Sequence, residues 1–326
     1  MRGAALLPQT RRWFGEATVQ SVPWTVEALV AAKRGRTVSV VLPALNEEAT
    51  VGAVVGALYP LLGTLIDELV VMDSGSTDRT VASAAAAGAR VVHRGDVLPE
   101  LDPWPGKGEV LWRSLAATSG DLLVFIDSDL VDFDSGFVPA LLGPLLLGPL
   151  LLSPRRVGAE VQMVKGFYRR PLRMESAEIG HGGGRVTELL ARPLLNALRP
   201  ELAGVVQPLG GEYAASRAFL ESVPFAAGYG VEIGLLLDVH TGYGLDGLAQ
   251  VNLGVRKHRN RSLLDLGVMS RQILGAALPR CGVPEVSGAN GMTQFVQLGA
   301  RFTPTETSVL VADRPPMRDV LAARSA

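Results

Sequence analysis

The chain alternates short, almost continuously apolar runs with longer segments whose apolar residues recur every three to four positions. TVSVVLP (37–43) is of the first kind and predicts a buried strand. Asn46-Glu47-Glu48 then opens an apolar periodic segment to about Tyr59, which predicts a helix with Asn46 as its N-cap. DELVVMD (67–73) predicts a second strand, SGST a turn, TVASAAAAGA a helix closed by Gly88, and ARVVHR a third strand. GKGEVLWRSLAATSG predicts a further helix and DLLVFID a fourth strand. Apolar strands separated by helices imply a parallel sheet covered on both faces, an α/β fold.

Further on the pattern becomes mixed. It predicts a strand near EVQMVKGFY, a helix near TELLARPLLNAL, a turn at Gly210-Gly211 and a strand near LAQVNLGVRKH. From about Ser262 a helix precedes an irregular or β-containing tail, and residues 1–36 read as an arm packed on the domain. LLGPLLLGPLLL (141–152) repeats GPLLL and is strongly apolar. It is too short to span a bilayer, and Pro144 and Pro149 interrupt it, so it predicts a buried, broken helical segment.

Open α/β sheets bind ligands beyond the carboxyl ends of their strands. Three predicted strands end in polar chemistry there: Pro43-Ala44-Leu45-Asn46-Glu47-Glu48, Asp73-Ser74-Gly75-Ser76-Thr77-Asp78, and Asp127-Ser128-Asp129. In LLVFIDSDLVDFD the last of these continues to Asp132 and Asp134, a density of carboxylates that either forms a solvated acidic turn or serves a ligand. Hard oxygen donors suit Mg²⁺ or Mn²⁺, and Mg²⁺ usually takes only one or two protein carboxylates together with substrate phosphates. The cluster behind a buried strand therefore reads as a diphosphate-bound metal site. Asp73 and Asp78 read as turn stabilisers, since Asp bonds its own backbone in such turns.

Lys107 lies between two glycines, where the backbone can approach a ligand closely and the ammonium can meet a phosphate or base oxygen. Gly180-His181-Gly182-Gly183-Gly184-Arg185-Val186-Thr187 fails the P-loop pattern, because Arg185 stands where glycine is needed and no lysine precedes Thr187. It still offers free N–H groups to an anion, and Arg185 adds a guanidinium fork. In Arg256-Lys257-His258-Arg259-Asn260-Arg261, strand alternation puts Arg256, His258 and Asn260 on one side. Trp104 and Trp112 read as packing residues.

Composition sets the outer limits. The 326 residues, 48% hydrophobic and 19% charged, suffice for one large domain or two modest ones. A formal net charge of -1 argues against nucleic acid as a main partner. Cys281 is the only cysteine, which excludes an intrachain disulfide and suits a reducing compartment. The N-terminal stretch carries no adequate signal-peptide core, so the expected address is cytoplasmic.

VSVVLPALNEE, VVMDSGSTDRT and VFIDSD together resemble the nucleotide-sugar-binding half of GT-A glycosyltransferases. GKGEVLW, FYRRPL, GHGGGRVTELLARPLLN, QPLGGEYAASR, GYGVEIGLL and VRKHRNRSL resemble, in order, the glucosyl-3-phosphoglycerate synthase family, retaining enzymes of glycosyltransferase family 81. The resemblance runs from about residue 20 to about residue 290, and the GPLLL duplication stands outside it as a local insertion. It implies a GT-A type, Rossmann-like fold with a mixed, mainly parallel central sheet flanked by helices. Residues 37–165 would bind the nucleotide sugar, 166–261 the acceptor, and 262–326 would form a C-terminal helix and tail suited to a homodimer.

The implied reaction is transfer of glucose from UDP-glucose to the 2-hydroxyl of 3-phosphoglycerate with retention, dependent on Mg²⁺ or Mn²⁺, as the first step towards glucosylglycerate and methylglucose lipopolysaccharide. By the same resemblance Pro43, Ala44, Leu45 and Glu47 line the uridine pocket and Ser74 contacts the nucleotide. Lys107, Asp127, Ser128 and Arg261 join the donor contacts. Leu209, Gly210, Gly211 and Tyr229 line the sugar, with Glu232 against its hydroxyls and Glu212 beside it. Gly184, Arg185, Val186, Thr187 and Asn260 hold the acceptor; Asp129 and His258 hold the metal; Arg256 steadies the leaving phosphates.

Other classes fit less of the chain. A sugar-nucleotide nucleotidyltransferase wants a glycine-rich, lysine-bearing phosphate loop after the first strand, and LPALNEE is not one. A polyprenyl-phosphate glycosyltransferase shares PxxNE and D-x-D but expects a membrane anchor. A non-catalytic binding module would hold metal without turnover. Composition alone leaves open mannosyl transfer, as in mannosyl-3-phosphoglycerate synthase, another GT-A transferase, or a GDP donor.

Overall fold

The computed structural model describes residues 6–151, 160–169, 184–255, 262–284 and 290–325. Helices α1 (Pro8–Ala17) and α2 (Val26–Lys33) flank a two-residue strand, β1 (Thr18–Val19). Strict alternation follows: β2 (Val38–Ala44), α3 (Val51–Leu58), β3 (Glu68–Asp73), α4 (Thr80–Ala86), β4 (Arg90–His93), α5 (Lys107–Ala117) and β5 (Leu122–Phe125). The second half holds α6 (Phe137–Leu151), β6 (Met163–Arg169), α7 (Arg192–Leu198), β7 (Tyr213–Ser216), α8 (Arg217–Ser222), β8 (Phe225–Ala226), α9 (Val231–Tyr243) and β9 (Leu248–Val255). Then come α10 (Leu263–Arg280), a hairpin of β10 (Gly291–Leu298) and β11 (Arg301–Ser308), a short β12 (Asp313–Arg314) and α11 (Met317–Ser325).

Eight strands form one sheet in the order β1-β9-β6-β7-β5-β2-β3-β4. β7 is antiparallel to both its neighbours and every other pairing is parallel, so the sheet is mixed and mainly parallel as expected. One consequence sets up the site. The parallel strands bring their carboxyl ends to a single edge, and β7, running the other way, begins there, so the residues leading into it sit at that same edge. The apolar runs behave as predicted: β2, β3 and β5 are buried almost throughout.

Local expectations fail in two places. Asn46 does not cap a helix; α3 starts only at Val51. Asn46 takes a left-handed conformation (φ 56°), and its side-chain oxygen accepts a hydrogen bond from Thr77 N at 2.9 Å, tying the β2 turn to the β3 turn. A bond across the fold has outcompeted the local cap. The segment around Pro144 and Pro149 is not broken either, since α6 runs through both. Each interior proline costs about 3 kcal/mol. Leu141, Leu142, Leu145 and Leu146, all buried, contribute roughly 1.5–3 kcal/mol each in compensation. Trp24 also fastens the helix, its indole N–H donating to Pro139 O at 2.9 Å. Residue 152, the end of the duplicated segment, lies outside the described residues.

Both ends of the chain are tied into this body. β1 pairs with β9, and Trp13 donates from its indole to Leu248 O at 2.7 Å. β12 pairs with β8, and Arg314 reaches Glu109 on α5, with Nε to Oε2 at 2.6 Å and Nη2 to Oε1 at 2.9 Å. The Arg314 guanidinium also stacks 3.8 Å over the Trp104 ring, while Trp112 is buried and donates to Pro315 O, so both tryptophans pack. Among the described residues no helix is long and apolar enough to cross a membrane.

Candidate active site

The carboxyl ends of β2, β3 and β5 interlock before any ligand is considered. Ser128 Oγ donates to Pro43 O at 2.7 Å, and Ser74 N donates to Ala44 O at 2.9 Å. Leu45 is left exposed beside them. Glu47 N donates to Thr80 Oγ1 at 2.7 Å, and its carboxylate accepts from Thr50 Oγ1 at 3.4 Å. Ser74 Oγ accepts from Arg94 Nη1 at 3.1 Å, and the same arginine holds Trp104 O. Asp73 and Asp78 are turn stabilisers as expected: Asp73 accepts from Gly75 N and Ser76 N, and Asp78 from Thr80 N.

Lys107 is the centre of the site. Its ammonium lies 2.5 Å from Asp127 Oδ1 and 2.7 Å from Glu232 Oε1. The flanking glycines serve a different purpose from the one expected. A Cβ on Gly106 would stand 2.7 Å from Ala227 O and 2.9 Å from Gly228 Cα, and one on Gly108 would overlap Ala226 O. The close approach is therefore to the chain's own 226–228 segment, with Glu109 N donating to Ala227 O at 2.9 Å. This contact brings the N-terminus of α5, with Lys107, against the N-terminus of α9, with Glu232. Burial pulls the Lys107 ammonium down, but Asp127 and Glu232 outweigh it and hold its pKa well above the ordinary value.

Gly210 and Gly211, from the segment entering β7, close the pocket. A Cβ on Gly211 would sit 2.7 Å from both Asp127 Oδ1 and Lys107 Nζ, so only glycine leaves these groups room. Leu209 and Tyr229 are half-buried around them, and Glu212 and Glu232 are buried. Lys165 and Tyr213, to which the sequence reading assigns no role, stand beneath. Lys165 Nζ donates to Gly210 O at 2.5 Å and lies 4.9 Å over the Tyr213 ring. Burial lowers the Lys165 pKa to about 8 despite the nearby carboxylates, and burial together with Glu232 raises that of Tyr213 well above its usual value. A lysine inside the apolar run MVKGFY was the signal available in the sequence. Arg94, behind Ser74, gave none.

Asp127 is engaged by Lys107, whereas Asp129, its partner in the D-x-D, stands half-buried at the end of the same turn. One such hard oxygen donor, completed by substrate phosphates, fits Mg²⁺ or Mn²⁺. Among the described residues no group of three His, Cys, Asp or Glu gathers to hold a metal. The expected partner His258 lies outside the described residues, as do Arg256, Asn260, Arg261 and Gly180–Gly183. Of the loop expected to hold an acceptor, Gly184 O accepts from Glu188 N at 3.0 Å, Arg185 is exposed, Val186 is half-buried and Thr187 is buried at the start of the helical turn.

This sheet, with D-x-D at the end of a buried strand and a cluster of carboxylates and lysines beside it, is that of a GT-A type glycosyltransferase, and the Glycosyl transferase family 2 model matches residues 39–183. Glucosyl-3-phosphoglycerate synthase of Mycolicibacterium smegmatis is 61% identical over 306 residues, 94% of this chain and 97% of that protein. The Petrotoga mobilis enzyme of the same name is 40% identical over 86% of each chain. The chain belongs to the glucosyl-3-phosphoglycerate synthase family. The crystal structure of the Mycobacterium tuberculosis synthase with Mn²⁺, UDP-glucose and phosphoglyceric acid is similar at a TM-score of 0.82 and 56% identity, covering 93% of this chain and 98% of that one. The same enzyme with Mn²⁺, UDP and phosphoglyceric acid gives a TM-score of 0.84, covering 94% and 99%.

Proposed function

We propose that this protein transfers glucose from UDP-glucose to the 2-hydroxyl of 3-phosphoglycerate with retention of configuration. The observation that carries the reading is the Asp127–Lys107–Glu232 cluster, set beside Asp129 where three strand ends converge. Similarity to an enzyme crystallised with UDP-glucose, phosphoglyceric acid and Mn²⁺ supports the same substrates. Pro43, Ala44, Leu45, Glu47 and Ser74 receive the uridine, and Asp127 and Glu232 accept hydrogen bonds from glucose hydroxyls. Gly184, Arg185, Val186, Thr187 and Asn260 take the acceptor, and Arg256 and Arg261 the diphosphate side.

A divalent cation on Asp129 and His258 supplies charge neutralisation for the departing diphosphate. Lys107 pairs with both Asp127 and Glu232 and holds them in place. Within the pocket three carboxylates, Asp127, Glu212 and Glu232, face two ammoniums, Lys107 and Lys165. That excess of negative charge favours the positive charge that develops at the anomeric carbon. With Glu232 occupied by Lys107, the acceptor hydroxyl attacks on the face the phosphate leaves, and that phosphate takes its proton. A stable glucosyl adduct trapped on Glu232 would overturn this path.

Residues 37–165 then serve the donor, 166–261 the acceptor, and 262–326 a homodimer contact in the cytoplasm. Phe295, Leu298 and Phe302 are 64–70% exposed on the β10–β11 hairpin, which Gln294 ties to α10 by donating to Leu264 O. Phe302 pairs with Gln297, so Phe295 and Phe302 are diagonal neighbours on one face of the hairpin, and exposed apolar side chains placed together in this way mark an association surface. UDP release from UDP-glucose, measured with and without 3-phosphoglycerate and with Mn²⁺ or chelator, tests the reaction. Release that requires acceptor and metal together supports it; release independent of the acceptor refutes it.

A further inference from the structure

We propose that Lys165 is a positioning residue for the donor sugar: from β6 it holds the Gly210 carbonyl and so sets where the Leu209–Gly211 segment and the carboxylates around it meet glucose. The proposal rests on reading this pocket as the glucose site. Lys165 is 1% exposed in the middle of an apolar strand, paired in register with Tyr213 on one side and Gln250 on the other. Its single hydrogen bond among the described residues goes to Gly210 O at 2.5 Å.

A lysine with a purely structural role looks different in this same protein. Lys33 donates to Thr64 O and Leu65 O at 3.3 Å and pairs with Asp67 at 2.6 Å, which satisfies all three of its donors. A buried ammonium without a carboxylate in contact is costly, and folding alone gives no reason to keep it. The groups facing Lys165 supply one: Glu232 from α9, Lys107 from α5, Asp127 beyond β5 and Glu212 before β7, with the Tyr213 ring against the ammonium. Its backbone neighbour fixes the same junction, since Gly166 N donates to Glu212 O at 2.9 Å. Without Lys165 the Gly210 carbonyl loses its donor, and three carboxylates remain against one ammonium. The Leu209–Gly211 segment then drifts from its place beside the sugar, while Glu232 stays paired with Lys107. The uridine and metal contacts, made by β2, β3 and Asp129, are untouched.

The test separates the sugar from the nucleotide. Affinities of the full-length Mn²⁺-loaded protein for UDP and for UDP-glucose are measured by calorimetry, for wild type and Lys165→Met. The expected result is UDP binding within about twofold and UDP-glucose binding weakened at least about tenfold, an interaction-specific loss. Equal loss for both ligands, or loss for neither, overturns the proposal. If Lys165→Met does not fold, Lys165→Gln, which removes the charge and shortens the reach to Gly210, is measured in its place; the same sugar-specific loss is expected, and equal loss for both ligands or for neither overturns the proposal. Failure of glucose transfer to 3-phosphoglycerate in the wild type would sink the proposed reaction while leaving this comparison of two ligands readable.

Discussion

Lys165 should impose a measurable, pH-dependent cost on folding. Its pKa falls from 10.5 in the unfolded chain to about 8 in the fold, a gap equivalent to roughly 3 kcal/mol. Below pH 8 both states carry the proton and the fold bears the full cost. Between pH 8 and 10.5 the unfolded chain holds a proton that the folded chain has shed, so stability rises with pH through this window. By pH 9.5 roughly 2 kcal/mol of the cost is relieved. In Lys165→Met that titration is absent, so wild type should gain roughly 2 kcal/mol relative to the variant between pH 7 and 9.5. With unfolding entropy of about 2.1 cal/mol/K per residue, this amounts to about 3 °C in relative Tm. At pH 7 the relieved cost is set against about 1–3 kcal/mol for leaving the Gly210 carbonyl without its donor, so the two proteins should melt close together. Melting both by circular dichroism at pH 7 and 9.5 cancels every group they share. A Tm difference that stays constant would show that Lys165 is not a buried cation titrating near 8.

Other consequences follow from the same geometry. Lys107→Met leaves half-buried Asp127 and buried Glu232 without their cation and should destabilise the fold by about 3 kcal/mol in urea titrations. Because the Lys107 pKa is raised above 10.5 in the fold, its contribution is fully present below that value, so the loss should be the same at pH 6 and pH 9; a loss that shrinks by pH 9 would contradict the pairing. Arg314→Met strips Glu109 of two hydrogen bonds and should cost about 3 kcal/mol, with a change in tryptophan fluorescence from Trp104; an unchanged midpoint would show the C-terminal strap to be dispensable. Asp129→Ala should reduce Mn²⁺-dependent UDP release by roughly two orders of magnitude or more without shifting Tm. Phe302→Asp on the hairpin should yield a monomer in sedimentation equilibrium, and a monomeric wild type would remove the proposed dimer surface.

Much of the fold from β2 to β5 was legible because its signals are local. Each strand from β2 to β5 is an apolar run of its own, each intervening helix has its own period, and D-x-D follows a buried strand within a few residues. Glycines flanking Lys107 announced a close backbone approach, but not to what. The partner is the 226–228 segment, far away in the chain, and no spacing rule reaches that far. Asn46 shows the opposite failure: its local preference was read correctly as a capping residue, and Thr77 claimed it instead.

The amino-acid sequence by itself determined the α/β class and the run of carboxylates behind a buried strand, since periodicity, strand burial and D-x-D are properties of neighbouring residues. Tertiary structure alone decided that β7 inserts antiparallel between β5 and β6, which carries Gly210 and Gly211 to the binding edge. It likewise decided that Lys107 meets Glu232 and that Lys165 lies beneath both. These are contacts between elements distant in sequence, chosen by how strands order and helices pack in a shared core, and their energy exists only once the backbone segments that carry them are already in place.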